Sequence, residues 1–346
     1  MRIPPIAVLV LLLALCCSPK SGGQLAPTPT RAVEGFVVVG YATSWDSIMP
    51  NPAYLTHINY SFTFIKDDFE SLDIENTERL AEIVALKDRY PHLKVLLSLG
   101  GWGAGNFSEM AASEEHRRNF CKNCRDALQR YRLDGIDMDW EYPTTSVAGI
   151  SSSMADKKNF TLLMKDMREA LGADRLLTVA AASNARYVDW EDVLPYIDWV
   201  NNMSYNMGTP PYHNSPMYRS SMTVQEIGEN WDGSVRCFFE KGVPYDKLVM
   251  GLPFFGHDAN EIINYRDIPF EGLTREWDNI AKVPYLVDAS GKMVITYDDP
   301  ESLQIKLDYI LQKRFLGAMY WNIEADDDDW TLSKLVASAL LDGNDR

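Results

Sequence analysis

The sequence is poor in histidine and cysteine, with five of each in 346 residues. The histidines are scattered and no two stand four positions apart, so no helical zinc pair can be drawn and no metal site is expected. Positive charge is also scarce: 33 Lys and Arg face 49 Asp and Glu, for a formal net charge of -16. That balance excludes nucleic acid and anionic membrane surfaces as main partners, because both need basic patches. No phosphate-cradling GxGxxG follows the first apolar run, which argues against a dinucleotide fold and its cofactor. No low-complexity tract interrupts the chain. Apolar residues make up 46%, enough for a sizeable core.

Long hydrophobic runs are missing as well. At the start, "MRIPPIAVLVLLLALCCSPKSGG", the apolar stretch from Ile6 to Leu15 is too short to cross a bilayer comfortably. One Arg before it and a polar segment after it make it a secretory signal. Cysteine directly behind the run resembles a bacterial lipoprotein signal, with the lipid on Cys16 or Cys17; plain secretion is the alternative. The expected organisation is a signal peptide over 1–17, a Ser-, Gly- and Pro-rich tether over 18–34 and one folded domain over 35–346. The product is then a cell-envelope lipoprotein or a secreted protein. Cys121 and Cys124 have CxxC spacing but fall within the amphipathic pattern "EEHRRNFCKNCRDALQRY", so they read as helical thiols with at least one buried. Cys237 has no evident partner, and no disulfide is expected.

From residue 35 one unit recurs, a short apolar run followed by a longer helical pattern. The runs are "FVVVGYATSW", "HINYSFTFI", "KVLLSLGGW", "GIDMDWEY", "LLTVAAASN", "WVNNMSYNM", "LVMGLPFFG" and "GAMYWNIEA". Near-continuous apolar strands are buried on both faces, which implies parallel pairing. Between them, "NTERLAEIVALKDRY" and "KKNFTLLMKDMREAL" repeat at helical spacing, and "DDPESLQIKLDYILQKR" opens with Asp299 as N-cap and Pro300 at the first helical position. Eight such units predict an α/β fold, a (β/α)8 TIM barrel. A short insertion between strands seven and eight contains a hairpin, "VPYLVDASGKMVITYD".

The fourth run, "LDGIDMDWEYP", places Asp137, Asp139 and Glu141 at alternate positions. In a strand these share one face, here the barrel interior, and climb toward the carboxyl end where barrel active sites lie. Asp134 and Gly135 lead into the strand. Adjacent carboxylates roughly 6 to 7 Å apart interact strongly, so at least one pKa must rise. A carboxyl kept protonated near neutral pH is a general acid, and Glu141, the outermost, is the candidate.

"LDGIDMDWEYP" resembles the DGxDxDxE signature of glycoside hydrolase family 18, in the chitinase-like form that continues Tyr-Pro. "SLGGW" is similar to that family's SxGG motif, and "KLVMGLPFFG" and "GAMYWNIEADD" to its seventh and eighth strands. The resemblance implies a retaining, substrate-assisted glycosidase that needs no cofactor. Glu141 then protonates the glycosidic oxygen, Asp139 holds the acetamido N–H of the substrate, and Asp137 shares a proton with Asp139. Tyr205 bonds the acetamido oxygen. Parity also turns Met203 inward, and Trp321 becomes the apolar floor under the reacting sugar. Tyr41, Trp45 and Trp102, at strand ends, are candidates for lining outer subsites, with packing in the core or at the rim an equal alternative. The sixth strand departs from the family, which usually has Asp after the Tyr where this chain has Asn206; the loss of that charge predicts a shifted pH optimum or altered sugar contacts.

The implied substrate is an oligo- or polysaccharide containing β-1,4-linked N-acetylglucosamine, which makes the chain a chitinase. An endo-β-N-acetylglucosaminidase cutting N-glycan cores is the alternative within the same chemistry. An inactive chitin-binding lectin is disfavoured because the acidic Glu is present.

Overall fold

The structure, a computed structural model, describes residues 35–342, so the expected signal and tether, with Cys16 and Cys17, lie outside the described residues. Each of the eight apolar runs forms a strand. In chain order they are β1 (Val37–Thr43), β2 (His57–Ile65), β3 (Lys94–Gly100), β4 (Gly135–Asp139), β5 (Leu176–Ala182), β6 (Trp199–Met203), β7 (Leu248–Pro253) and β8 (Gly317–Trp321). Every sequential pair is parallel, and β1 pairs with both β2 and β8, closing the barrel. This is the predicted (β/α)8 architecture.

Strand parity divides the core. Val37, Val39, Tyr41, Trp199, Tyr205, Val249 and Met319 fill the barrel interior. The alternate positions, among them Ile136 and Met138 on β4 and Trp140 just after it, pack outward against the helices. The two helical patterns noted above fold as Thr77–Ala85 and Asp156–Leu171. Pro300–Lys313 begins with Asp299 as a capping box, its carboxylate accepting from Ser302 N at 3.0 Å. Cys121 and Cys124 are both buried in helix Glu114–Arg130 and, like Cys237, are free thiols. No helix among the described residues is long and apolar enough to cross a membrane.

The insertion after β7 is larger than its one legible hairpin. The strands Val283–Val287 and Met293–Thr296 form that hairpin, but Phe255–His257, Ile262–Asn264 and Thr274–Asp278 join them in a five-stranded antiparallel sheet. The first two of these are only three residues long, and "TREWD" is charged and largely exposed, so none carries an apolar alternation.

Candidate active site

Register assembles the floor of the site. Ser98 on β3 lies beside Asp137 on β4, and Asp137 beside Thr178 on β5. The three point into the barrel together, and both hydroxyls donate to the carboxylate, Ser98 Oγ to Oδ2 at 2.9 Å and Thr178 Oγ1 to Oδ1 at 2.5 Å. Tyr41 donates its hydroxyl to Oδ2 at 2.8 Å, and Asn201 Nδ2 donates to Oδ1 at 3.0 Å. Asn201 is itself oriented by Trp199, whose Nε1 donates to its Oδ1 at 2.9 Å. Burial pushes the Asp137 carboxyl up, and the four neutral donors pull against it. Each Asp137 oxygen thus holds two donors. Asp139 is not among them.

Asp139 sits one step higher and is almost fully buried, and its Oδ1 has no hydrogen-bond partner. Burial first, then the charges of Glu141 and Asp137, hold its carboxyl well above the usual range. Glu141, at the lip, is pushed up to about 7 by burial, against a hydrogen bond from Tyr142 that lowers it. The ladder therefore separates three identical groups by environment: one held by neutral donors, one lacking a donor, and one poised near neutrality.

The glycines of "SLGGW" make the close approach possible. Gly100 has φ +121°, and a Cβ there would lie 2.0 Å from the Asp139 carbonyl oxygen. Gly101 donates its N–H to that carbonyl at 2.9 Å, and a Cβ on it would strike the Phe62 ring at 2.6 Å. Two side chains are excluded so that β3 can lie against the end of β4 and an aromatic ring can cover it.

The structure brings most of the predicted residues together and relocates others. Tyr205 is buried beside Met319 and meets Phe255 edge-on, with ring centroids 5.6 Å apart. Met203 is half-buried at the end of β6. Trp321 stacks on Phe62 at 5.6 Å and 17°, and contacts Tyr41 at 5.6 Å. Trp45 and Trp102 are each 63% exposed, on loops after β1 and β3, so they are free to contact an extended ligand. Tyr41 is not. It is 2% exposed beneath the site, and its hydroxyl is spent on Asp137; as part of an inward-facing strand it supports the floor rather than lining an outer subsite. Asn206, with φ +57°, is exposed and hydrogen-bonds His257 of the insertion at 2.8 Å. Asp134 does shape the start of β4, accepting from Val95 N and Lys87 Nζ.

Thr178, Asn201, Phe62 and Tyr187 escaped the sequence reading. Tyr187 stacks flat on Tyr142 at 4.7 Å, with Trp102 edge-on to Tyr142 at 6.5 Å, a second aromatic cluster beside that of Trp321, Phe62 and Trp45. Inward parity alone selects Thr178 and Asn201, but their partner is set by register, which the strand sequences do not state.

A closed barrel carrying a carboxylate ladder at its carboxyl end, with two clusters of aromatic rings, defines a glycosidase of the TIM-barrel class. The chain belongs to the glycosyl hydrolases family 18, whose family model matches residues 37–326. Among its relatives, Chitinase A1 of Niallia circulans is 28% identical over 92% of this chain, and the chain spans only 60% of that protein's length. Chitotriosidase-1 of Mus musculus is 28% identical over 84% of this chain and 73% of its own. Among solved structures, a family 18 N-acetylglucosaminidase from Paenibacillus barengoltzii superposes with TM-score 0.79 at 32% identity, covering 88% of this chain and all of that one. A chitinase from Bacillus thuringiensis gives TM-score 0.81 at 26% identity, covering 90% and 71%.

Proposed function

We propose that the protein hydrolyses β-1,4-linked N-acetylglucosamine, the activity of a chitinase, with retention and with the substrate's own acetamido group as nucleophile. The observation that carries this reading is the buried, unpartnered Oδ1 of Asp139 beside a Glu141 poised near neutrality. A buried acceptor without a donor costs about 1–3 kcal/mol, and an acetamido N–H is a donor of the right kind to remove that cost. In other retaining glycosidases a second carboxylate attacks, about 5–5.5 Å from the acid. Here Glu141 protonates the glycosidic oxygen while the acetamido carbonyl attacks the anomeric carbon. Asp139 accepts the acetamido N–H and balances the oxazolinium charge, and Tyr205 donates to the acetamido oxygen. Water, deprotonated by Glu141, then opens the ring from the face the leaving group left, which restores the original configuration. Trp321 provides an apolar face for the reacting sugar, and Trp45 and Trp102 extend the aromatic clusters.

A second reading, removal of N-acetylglucosamine by an N-acetylglucosaminidase, is supported by the name of the Paenibacillus relative, whose whole length this chain covers. The reading that remains from the sequence alone is attack on an N-glycan core. Mass spectrometry of products from N-acetylglucosamine oligomers and, in parallel, a high-mannose glycoprotein separates the three. Shortened oligomers beside an intact glycoprotein support the chitinase. Release of only the monosaccharide supports the second reading, and freed glycans leaving one N-acetylglucosamine on Asn support the third. The lipoprotein-type start further supports export with a lipid on Cys16 or Cys17. Intact-mass analysis of the mature protein tests it: a diacylated N-terminal cysteine is expected, and an unmodified secreted chain refutes it.

A further inference from the structure

The loop between β1 and β2 carries Trp45 outward from the reaction centre, its ring 6.4 Å from Phe62, which in turn stacks on Trp321. What holds that exposed indole in place is buried. Arg79, 5% exposed, projects from the helix Thr77–Ala85 outside the barrel. Its Nε donates to Thr43 O at 2.7 Å and its Nη2 to Ile48 O at 2.8 Å, so one guanidinium grips both ends of the segment 43–48. The same Nη2 donates to Glu324 Oε1 at 2.7 Å, and that oxygen also accepts from Thr43 N at 2.9 Å. Glu324 stands three residues beyond Trp321, so the pair ties the Trp45 loop to the end of β8. Asn76 Nδ2 donates to Ser44 O and Ser44 Oγ to Glu75 Oε2, completing the clamp. The guanidinium bonds go to backbone carbonyls and a carboxylate in a fixed fork, a geometry an ammonium cannot reproduce.

We propose that Arg79 is a positioning residue that sets how long a sugar chain the cleft grips, by fixing Trp45 as the outer end of the aromatic wall it forms with Phe62 and Trp321. The inference rests on the carbohydrate reading of the cleft. Arg79 touches no substrate. It pre-orders the loop, so that binding a distant sugar does not have to pay for the ordering. The Asp137 carboxylate has its own four donors, Ser98, Thr178, Asn201 and Tyr41, and Arg79 is not one of them.

The test compares the wild type with Arg79→Lys and Trp45→Ala on N-acetylglucosamine oligomers of two to six units. In Arg79→Lys, KM for the longest substrates should rise roughly tenfold, the loss of about one stacking contact. KM for the shortest cleaved oligomer and kcat should stay within about twofold of the wild type. The double variant should be no worse than Trp45→Ala alone, because both changes remove the same contact. Equal loss at every length, or additive losses, overturns the proposal. A readout independent of substrate is the time-resolved anisotropy of Trp45, taken as the difference between each protein and its Trp45→Phe counterpart. Faster nanosecond depolarisation in Arg79→Lys supports the clamp, and unchanged decay refutes it. If the wild type cleaves no oligomer while the decay still changes, the substrate reading fails and the clamp stands.

Discussion

Asn206 Oδ1 lies 2.8 Å from Nε2 of His257, a hydrogen bond that joins the segment following β6 to the first strand of the insertion. Burial lowers the His257 pKa below its ordinary value, against the nearby Asp258 carboxylate and a bond to the Glu261 backbone. At neutral pH the contact is therefore between two uncharged groups. Asn206 directly follows Tyr205 in the chain.

Replacing Asn206 by Asp adds a negative charge next to the acid cluster. An added anion disfavours ionisation of Glu141, so the alkaline limb of the pH–rate profile should move upward. The same anion favours His257 in its charged form, which cancels part of the effect. Asn206→Asp combined with His257→Asn should thus shift the limb further than Asn206→Asp alone. Profiles of the three proteins measure this, and superimposable curves would dismiss any electrostatic role for the position.

In the proposed mechanism Glu141 acts as an acid only while protonated, and burial pushes its carboxyl up to about 7. Activity should accordingly hold on the acid side and fall as pH rises through about 7. Glu141→Gln should lower kcat by about 10² to 10⁴ while oligosaccharide binding persists, since a positioned acid contributes about that much. Calorimetric titration of the variant alongside its kinetics checks both halves. Retained turnover would remove Glu141 from the role.

Thr178→Val deletes the 2.5 Å donor to Asp137 and nearly preserves volume. A buried carboxylate oxygen loses one of its two partners, at a cost of about 1–3 kcal/mol in stability. The Asp137 pKa should rise further, because a bond favouring the ionised form is gone. Urea denaturation measures the first effect, and a fall in kcat exceeding that of the distant control Thr161→Val measures the second.

Behind Tyr205, Lys306 and Asp298 form a fully buried ion pair at 2.5 Å. Lys306 Nζ also donates to Ser215 Oγ at 2.9 Å, and Ser215 Oγ donates to Ser204 O at 2.7 Å, next to the tyrosine. Lys306→Met leaves Asp298 as an unpaired buried carboxyl and should cost about 3–5 kcal/mol. Adding Asp298→Leu should restore much of that loss, since removing both charges ends the mismatch. Chemical unfolding of the two variants decides it: equal stability of single and double variants would deny the pair its role.

The barrel was legible in the sequence because a strand buried on both faces must be apolar along its length, and that leaves a mark that needs no partner to be read. The run of Asp137, Asp139 and Glu141 was equally plain, since strand parity alone puts alternate residues on one face. The insertion was read only as one hairpin, because its other strands are too short or too polar to show a period. The place of Tyr41 is open in the sequence for a related reason. Its position at the end of an apolar run is compatible with lining a cleft or with lying beneath it, and only the closure of β1 onto β2 and β8 puts its hydroxyl on Asp137.

By itself, then, the sequence determined the barrel strands, the helices between them and which strand residues face inward, because these follow from periodicity along one strand or helix. The tertiary structure alone decided which inward residues meet. Ser98, Thr178, Asn201 and Tyr41 come from four strands, and the register between strands makes all four donate to one carboxylate. It also set the environments that divide the three carboxyls into different roles, since desolvation and neighbouring charge depend on what folds around a group and not on its place in the chain.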